Sequence, residues 1–462
     1  MMGSEWRSPP RAEAAENPAM LRSTLTLAAL CTLLLGAGLA ATGALAQTTP
    51  AQAFSVHGQF THLTQQHPPF RAPYAGTNSL QASEAAKETT DLTLFLGLRL
   101  WRGGALYFDP EIDQGYGLSN TLGVAGFPSG EAYKVGRWRP YYRTQRLFLR
   151  QTFALGPATG RVDAGPNALA GAQADDRLTL TVGKLSVVDL FDGNRYAHDP
   201  RADFMNWAVI DAGAFDYAAD AWGYTLGAAL EWTQGAWTLR GGWFALSTLP
   251  NAETLDTGFG QHAAVVEAER RYALAGRPGA VRLLGYVDRG RIGRYRDALA
   301  RAAATGAPPD TALVRRRASK SGWAINLEQA LADGVGFFAR LSANDGRHEA
   351  FDFTEIDRSL AAGLAIQGAR WHRPDDTVGL ALAVNALAAD ARAYFAAGGL
   401  GILIGDGQLP HPGPERIGEA YYAASLAPGV TLSADVQAIG NPAYNRDRGP
   451  VRVWGLRLHA EF

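Results

Sequence analysis

The 462-residue chain carries 43 Lys and Arg residues against 44 Asp and Glu residues, which gives a formal net charge of −1. This balance argues against a nucleic-acid-binding protein, because such proteins usually have a strongly basic face. A hydrophobic content of 47% with 19% charged residues excludes a largely disordered chain. The mean hydropathy of −0.12 does not separate a soluble protein from a membrane barrel, whose apolar residues are hidden in an alternating pattern.

The amino-terminal region predicts a signal peptide over residues 1–46. An apolar run over residues 25–39 is followed by Ala44-Leu45-Ala46, an A-x-A cleavage site, so the mature chain is expected to begin at Gln47. The segment that starts at Met20 suits a positively charged leader better than the acidic residues before it, which favours Met20 over Met1 as the start of translation. An uncleaved anchor helix is the alternative, and the short apolar run closed by small residues argues against it.

Further along the chain, apolar and polar residues alternate. In residues 91–101 one face holds five leucines and the other holds mostly polar or small residues: Leu92, Leu94, Leu96, Leu98 and Leu100 against Asp91, Thr93, Gly97 and Arg99. A helix would scatter these leucines around its axis, so the period of two indicates a strand. The pattern recurs and predicts sixteen strands, at residues 53–65, 91–101, 104–112, 143–154, 176–184, 221–233, 236–247, 261–274, 279–288, 321–331, 334–343, 359–369, 376–386, 417–427, 429–439 and 449–462.

The predicted connections alternate between short and long, which is typical of an outer-membrane protein. We therefore predict an all-β fold over residues 47–462, a transmembrane antiparallel β-barrel of about sixteen strands with short periplasmic turns and long extracellular loops. The link at 155–175 should be short in this register and is not. Tryptophans near strand ends are expected in the two interfacial girdles: Trp101, Trp222, Trp243 and Trp323. A soluble β-sandwich or propeller is the alternative, and it needs no lipid-facing row of leucines.

Sixteen strands leave room for an aqueous channel, so the inward face of the register predicts its lining. The charged residues expected there carry both signs in similar numbers: Arg99, Asp109, Glu111, Asp113, Arg146, Arg150, Glu267, Glu269, Arg271, Arg282, Asp288, Glu328 and Arg340. An anion pore should show a ring of Arg or Lys and a cation pore an acidic ring. A mixed lining with many aromatic residues suits a neutral polyhydroxylated solute. Alternatively, these charges only satisfy one another across the barrel wall.

The segment at 185–220 is a candidate constriction loop. It is dense in charge and adds seven residues to the predicted pore-lining or substrate-contacting set: Asp189, Asp192, Arg195, Asp199, Arg201, Asp203 and Trp207. A long loop of this kind can fold into the lumen and narrow it, or it can form a cap on the surface. The sequence leaves both readings open.

No part of the sequence predicts catalysis, a cofactor or a metal site. Cys31 is the only cysteine and lies in the predicted signal peptide, so the mature chain has no thiol for a disulfide, a zinc-thiolate site or a nucleophile. An outer-membrane lipid hydrolase would need a Ser/His pair facing the lipid, which the register does not offer. We therefore expect a channel and not an enzyme.

Four segments resemble the OprB-type carbohydrate-selective porin family. They are residues 57–80 (HGQFTHLTQQHPPFRAPYAGTNSL), 96–136 (LGLRLWRGGALYFDPEIDQGYGLSNTLGVAGFPSGEAYKVG), 183–208 (GKLSVVDLFDGNRYAHDPRADFMNWA) and 441–451 (NPAYNRDRGPV). The similarity spans nearly the whole mature chain and includes the closing GLRLHAEF.

The resemblance implies an outer-membrane porin of a Gram-negative-type bacterium that passes glucose-like mono- and small oligosaccharides by passive diffusion. It also implies that the terminal Phe462 is read by the outer-membrane assembly machinery. The expected partners are membrane lipid, lipopolysaccharide and permeating sugars, with no nucleic acid, and both a homotrimer and a monomer remain open. A weakly selective general porin for ions and small polar solutes is the alternative function.

Overall fold

The computed structural model describes residues 51–132 and 136–462, so the predicted signal peptide lies outside the described residues. The described chain is mostly strand: β1 (Phe54–Gln66), β2 (Lys87–Trp101), β3 (Gly104–Gly115), β4 (Arg137–Ala154), β5 (Thr159–Val162), β6 (Gly171–Ala174), β7 (Arg177–Leu185), β8 (Thr225–Gln234), β9 (Trp237–Ala245), β10 (His262–Leu274), β11 (Arg277–Ile292), β12 (Arg316–Ala332), β13 (Val335–Asn344), β14 (Arg358–Gly368), β15 (Arg373–Ala386), β16 (Glu415–Ala427), β17 (Val430–Gly440) and β18 (Val451–Glu461). Three helices lie between strands: α1 (Trp207–Ile210), α2 (Tyr295–Thr305) and α3 (Ala389–Ala396). Short 3-10 turns occupy Leu118–Asn120, Val187–Asp189, Thr311–Val314, Ala369–Trp371 and Pro442–Tyr444.

Sixteen of these strands form one closed antiparallel barrel. Each strand pairs with its neighbour in chain order, except that β4 pairs directly with β7, and β18 pairs with β1 to close the sheet. Closure leaves no sheet edge with unpaired backbone groups, as a lipid environment requires. The predicted sixteen-stranded all-β barrel is confirmed.

The alternation of side chains sets the two faces of the wall. In β2, Leu94 and Leu98 are 37% and 44% exposed on the outside, whereas Asp91 and Thr93 are 4% and 0% exposed on the inside. The same outward apolar face continues around the barrel, for example at Leu147, Val182, Leu230, Leu239, Val266, Leu283, Ile325, Leu341, Leu360, Leu380, Leu382 and Leu456. This apolar exterior is the surface that lipid covers in a membrane barrel.

The connections differ between the two ends of the barrel. One end carries tight links such as 102–103, 235–236 and 275–276, and we call it the short-turn end. The other end carries segments such as 67–86 and 186–224, and we call it the long-loop end.

The link between β4 and β7, which is longer than expected for the short-turn end, has a structural explanation. Residues 155–176 contain the two-stranded hairpin of β5 and β6, which stands outside the barrel sheet, so β4 and β7 still pair directly. An inserted hairpin lengthens a link without shifting the register of the wall. Several predicted strand starts move: β2 begins at Lys87 and not at 91, β4 at Arg137 and not at 143, β8 at Thr225 and not at 221, and β12 at Arg316 and not at 321.

One predicted girdle residue is wrong. Trp101, Trp243 and Trp323 are exposed on the outer face, but Trp222 is only 3% exposed. Its indole N–H donates to the Tyr141 hydroxyl at 3.0 Å, and the Arg143 guanidinium carbon lies 3.4 Å from its ring centroid. Trp222 is therefore held by polar partners away from lipid.

Much of the barrel interior is filled by the long loops. Aromatic rings from three of these loops stack together: Phe127 lies 5.0 Å from Trp207, and Phe353 lies 5.4 Å from Trp207 and 4.9 Å from Tyr217, between ring centroids. Offset contacts of this kind add to the free energy gained by burying the rings. Among the described helices, none combines the length and the apolar character needed to cross a membrane.

Candidate functional site: the barrel lumen

The segment 186–224, which joins β7 to β8, is hereafter called the lumen loop. Its residue Asp192 is bound to three inward-facing strands of one arc of the wall. The Asp192 carboxylate pairs with Arg340 of β13 at 3.2 Å and accepts from the Asn326 side chain of β12 at 2.6 Å. Its backbone N–H donates to Glu267 of β10 at 2.8 Å. Because all four groups are buried, each polar atom needs such a partner.

The same loop is bound to the opposite arc of the wall. Arg201 lies within 3.3 Å of Asp91 on β2 and of Glu111 on β3, and within 3.1 Å of Glu131 in the loop before β4. We call these four residues the Arg201 cluster. Asn206 donates to Gln437 of β17 at 2.9 Å. The lumen loop therefore crosses the inside of the barrel from β10–β13 to β2–β3 and β17.

Two buried arginines of the wall explain why an irregular segment is stable there. Arg340 donates to the carbonyl oxygens of Val209 and Ala197, each at 2.8 Å. Arg457 of β18 donates to the carbonyl oxygens of Ala202 and Asp203, each at 2.9 Å. A guanidinium offers five N–H donors in a fixed plane, so it can satisfy several loop carbonyls that no water reaches.

A small residue in the wall also makes room for the loop. The Tyr196 ring lies where a Cβ on Gly336 of β13 would stand, only 2.0 Å from that position. Any larger residue at 336 would therefore displace Tyr196. This contact and the two arginines fix the loop along the wall.

A cavity of about 370 Å³ lies between the lumen loop and the short-turn half of the wall. Its lining is dominated by charged side chains, with a few small or apolar loop residues: Arg150, Gln173, Arg177, Thr179, Val188, Asp189, Leu190, Gly193, His198, Glu231, Arg240, Glu269 and Arg282. All the residues that the barrel strands contribute to this lining are therefore polar or charged.

Neighbouring strands arrange the charges of this cavity in alternating signs. Arg240 of β9 pairs with Glu231 at 2.9 Å, Glu267 at 2.7 Å and Glu269 at 3.0 Å. Arg282 of β11 pairs with Glu269 and with Glu328 of β12, each at 3.1 Å. These two arginines and four glutamates are hereafter the β9–β12 cluster, to which the neighbouring strand β8 contributes Glu231. Each side chain alternates with an outward apolar residue, which is why the strand period places all of them inside.

Across the cavity, the wall strand β4 meets the lumen loop through an ion pair. Arg146 donates two hydrogen bonds to Asp189, at 2.7 and 2.6 Å, in the bidentate geometry that gives strong pairs. Desolvation opposes ionisation of Asp189, but the Arg146 guanidinium outweighs it and holds the pKa of this carboxyl below its usual value. Asp189 is therefore a fixed negative charge beside the cavity.

His198 adds a titratable cation to the loop side of the cavity. Burial lowers the pKa of His198, but the facing Asp211 carboxylate, 3.4 Å from its Nδ1, more than offsets this effect and raises the pKa to about 9. The imidazole is thus positively charged at neutral pH.

The tip of the β5–β6 hairpin reaches three of the sequence-predicted residues. The Asn167 side chain donates to Asp109 at 2.8 Å, and its carbonyl accepts from Arg150 at 3.1 Å. Arg99 donates to the carbonyl oxygens of Gln52 at 2.8 Å and Ala170 at 3.3 Å. The hairpin therefore contacts the inner wall near the short-turn end.

The predicted site residues separate into those that reach the cavity or solvent and those that are buried. Arg150 and Asp189 line the cavity, and Arg99, Arg146, Arg195, Asp199 and Asp203 retain solvent access. Six others are buried among protein partners: Asp109, Glu111, Asp113, Asp192, Arg201 and Trp207. The structure brings Arg201 to Glu111, and Arg146 to Asp109 and Asp189, but it does not gather the whole set around one space.

Several residues of the lumen were missed from the sequence. Arg240 alternates with the outward Trp237, Leu239 and Trp243 on β9, and this period could have identified it. Glu131 and Asn206 lie in irregular segments, where no periodic signal exists.

Comparison with known proteins bears on this architecture. A family model described as "Carbohydrate-selective porin, OprB family" matches residues 77–462. No curated protein sequence matches the chain.

Solved structures resemble the barrel over most of its length. A high-pH structure of OprB from Pseudomonas putida has a TM-score of 0.65 and 17% identity, covering 89% of this chain and 94% of that one. The outer-membrane channel DcaP of Acinetobacter baumannii has a TM-score of 0.48 and 10% identity, covering 90% of this chain and 99% of that one. At this level of identity the OprB structure supports the fold alone.

Proposed function

This chain belongs to the OprB family of carbohydrate-selective porins and is an outer-membrane channel for passive diffusion of carbohydrates; we propose that the lumen loop forms the constriction of this channel, and that the channel passes glucose-like monosaccharides and small oligosaccharides. The observation that carries this proposal is the crossing of the lumen by one loop tied to opposite arcs of the wall. A solute that moves along the barrel axis must pass this loop.

The chemistry beside the loop suits a neutral sugar. The β9–β12 cluster and the Arg146–Asp189 pair place donors and acceptors close together, with each charge already facing an opposite one. Guanidinium N–H groups donate to sugar hydroxyl oxygens, and carboxylates accept from the hydroxyl hydrogens. Because each of these charges is paired with an opposite one, a neutral solute meets weak contacts at several positions, as diffusion through a selective pore requires.

Liposome swelling with purified protein tests the proposal. We compare glucose, larger oligosaccharides and size-matched amino acids for the wild type and for a variant that lacks residues 187–205. Glucose is expected to enter wild-type liposomes faster than an amino acid of the same size. The deletion should raise single-channel conductance and admit larger oligosaccharides, because it removes the tethers at Asp192 and Arg201.

A second deletion serves as the control. Residues 303–307 are exposed at the end of α2 and after it, so their removal shortens a long loop and leaves the lumen intact. Unchanged conductance after deletion of 187–205 would show that the lumen loop is not the constriction. Entry rates set by solute size alone would identify a weakly selective general porin.

A further inference from the structure

Three arginines stand together on the outer surface of the barrel at the long-loop end. Arg289 and Arg291 lie on β11 and Arg317 lies on β12, with Arg291 directly opposite Arg317 in the strand register. We call these three residues the arginine patch. All three side chains are exposed.

The arginine patch begins where the apolar exterior ends. Val287 precedes Arg289 by two residues on the same face of β11, and it is exposed, as is Trp323 on the same face of β12. Two residues of a strand span about 7 Å. The patch therefore lies just beyond the lipid-covered band, at the depth where lipid headgroups are found.

The protein does not neutralise this positive charge. Within residues 51–132 and 136–462, no carboxylate oxygen lies within the 4.0 Å ion-pair distance of any of the three guanidinium groups, although the neighbouring Arg315 and Arg316 pair with Glu349 and Asp297. Like charges directly across a strand pair destabilise the sheet. An anion that bridges Arg291 and Arg317 would relieve this repulsion.

A hollow beside the arginine patch can hold such an anion. It has a volume of about 470 Å³ and is lined by four arginines and three other polar residues: Arg291, Arg315, Arg316, Arg317, Thr248, Asp256 and Gln261. Asp256 is the only carboxylate of this lining. Its oxygens already accept from the backbone N–H groups of Gly258 at 3.2 Å and Gln261 at 2.7 Å. The hollow therefore presents net positive charge and free guanidinium donors.

We propose that the arginine patch and its hollow bind the phosphate group of a phosphorylated glycolipid of the outer leaflet. Guanidinium groups bind phosphate through two parallel N–H···O bonds, which suits adjacent arginines. The edge of the lipid-facing band favours a phosphate carried by a lipid over one free in solution. The site lies on the outside of the wall and is independent of permeation.

Native mass spectrometry of the folded, detergent-solubilised protein tests the proposal. The wild type is titrated with a bis-phosphorylated lipid A, with the same lipid after dephosphorylation, and with inorganic phosphate. Arg289→Gln/Arg291→Gln/Arg317→Gln should weaken binding of the phosphorylated lipid about tenfold, since it removes several charge-assisted hydrogen bonds. Binding of the dephosphorylated lipid should be equal in both proteins.

Two further variants sharpen the result. Arg270→Gln removes an outward arginine at the short-turn end, where Arg270 lies over Trp237, and it should bind the phosphorylated lipid as the wild type does. Replacing the three patch arginines by lysine keeps the charge but not the bidentate geometry, so affinity should fall to an intermediate value. Heat-modifiable electrophoretic mobility shows whether the glutamine variant folds. If it does not fold, the affinity of the lysine variant for the phosphorylated lipid tests the proposal in its place.

Three results would overturn the proposal. Equal affinity of the wild type and the glutamine variant for the phosphorylated lipid would show that the patch does not bind it. Displacement of the lipid by inorganic phosphate at a similar concentration would make the site one for free anions. A change in the number of protein copies per particle, with unchanged lipid binding, would assign the patch to contacts between subunits.

Discussion

Two arginine–carboxylate clusters inside the barrel use the same side chains for different purposes. In the Arg201 cluster one guanidinium faces three carboxylates, and none of the four side chains is more than 10% exposed. In the β9–β12 cluster two guanidinium groups alternate with four carboxylates. Glu267 and Glu269 are also buried, but Arg240, Glu231, Arg282 and Glu328 are 11–20% exposed, and Glu231, Arg240, Glu269 and Arg282 line the cavity. One cluster is sealed by the protein, and the other borders water.

This difference determines what each cluster does. A buried charge without its partner is strongly destabilising, so the Arg201 cluster holds the lumen loop against β2 and β3. The β9–β12 cluster has four of its six members on the cavity, where water partly screens its pairs, so these pairs contribute less to stability and remain available to a solute. Whether an inward-facing charge is structural or lines the pore therefore depends on what covers it.

The largest effect should follow from breaking the sealed cluster. Arg201→Gln removes the guanidinium that pairs with three buried carboxylates, and we expect a loss of about 3–5 kcal/mol in the free energy of unfolding. The lumen loop should also lose its tie to β2 and β3, and single-channel conductance should rise. Thermal unfolding in detergent and planar-bilayer recording measure the two effects.

Arg195→Gln is the matched control for this change. Arg195 lies in the same loop, and its side chain is exposed. Its hydrogen bond to Glu328, at 2.9 Å, is donated by the backbone N–H, which the substitution keeps. Equal unfolding midpoints for the two variants would contradict the anchoring role of the Arg201 cluster.

A smaller effect on stability is expected in the open cluster. After Arg282→Gln, Glu269 keeps its pairs with Arg240 at 3.0 Å and Arg271 at 2.7 Å, so the free energy of unfolding should fall by only about 1 kcal/mol. The cavity gains one net negative charge, and the reversal potential under a salt gradient should shift towards cation selectivity.

Arg277→Gln removes the same charge outside the cavity. Arg277 pairs with Asp333 at 2.8 Å at the short-turn end, on side chains open to solvent. The shift in reversal potential should therefore be larger for Arg282→Gln, and equal shifts would place both arginines equally far from the ion path.

The barrel could be predicted from the sequence because each strand carries its own signal. The leucines of β2 and the alternation of β18 specify which residues face lipid, and that pattern survives even where the link at 155–176 is unusually long. Trp222 escaped this reasoning because its partners Tyr141 and Arg143 are distant in sequence.

The interior could be predicted only in part. The strand period places both Glu111 and Glu269 on the inside of the barrel. It does not predict that Arg201 of the lumen loop covers Glu111, whereas Glu269 stays beside the cavity. That distinction depends on a loop without periodicity, for which the sequence left a lumenal and a surface position open. The tie between Arg201 and Glu131 spans 70 residues of irregular and strand structure.

The smallest expected effect is a pH dependence within the Arg201 cluster. Burial raises the pKa of Glu131, Arg201 opposes this, and the nearby carboxylates of Asp199 and Glu111 raise it further. The folded protein therefore keeps a proton that the unfolded chain has lost, and stability is lost as the pH rises above the unfolded pKa of about 4.5. Glu131→Gln cannot titrate, so its unfolding midpoint should fall less than that of the wild type as the pH rises above about 4.5. The same fall in both proteins would mean that another carboxylate of the cluster binds the proton, and that Glu131 stays ionised against Arg201.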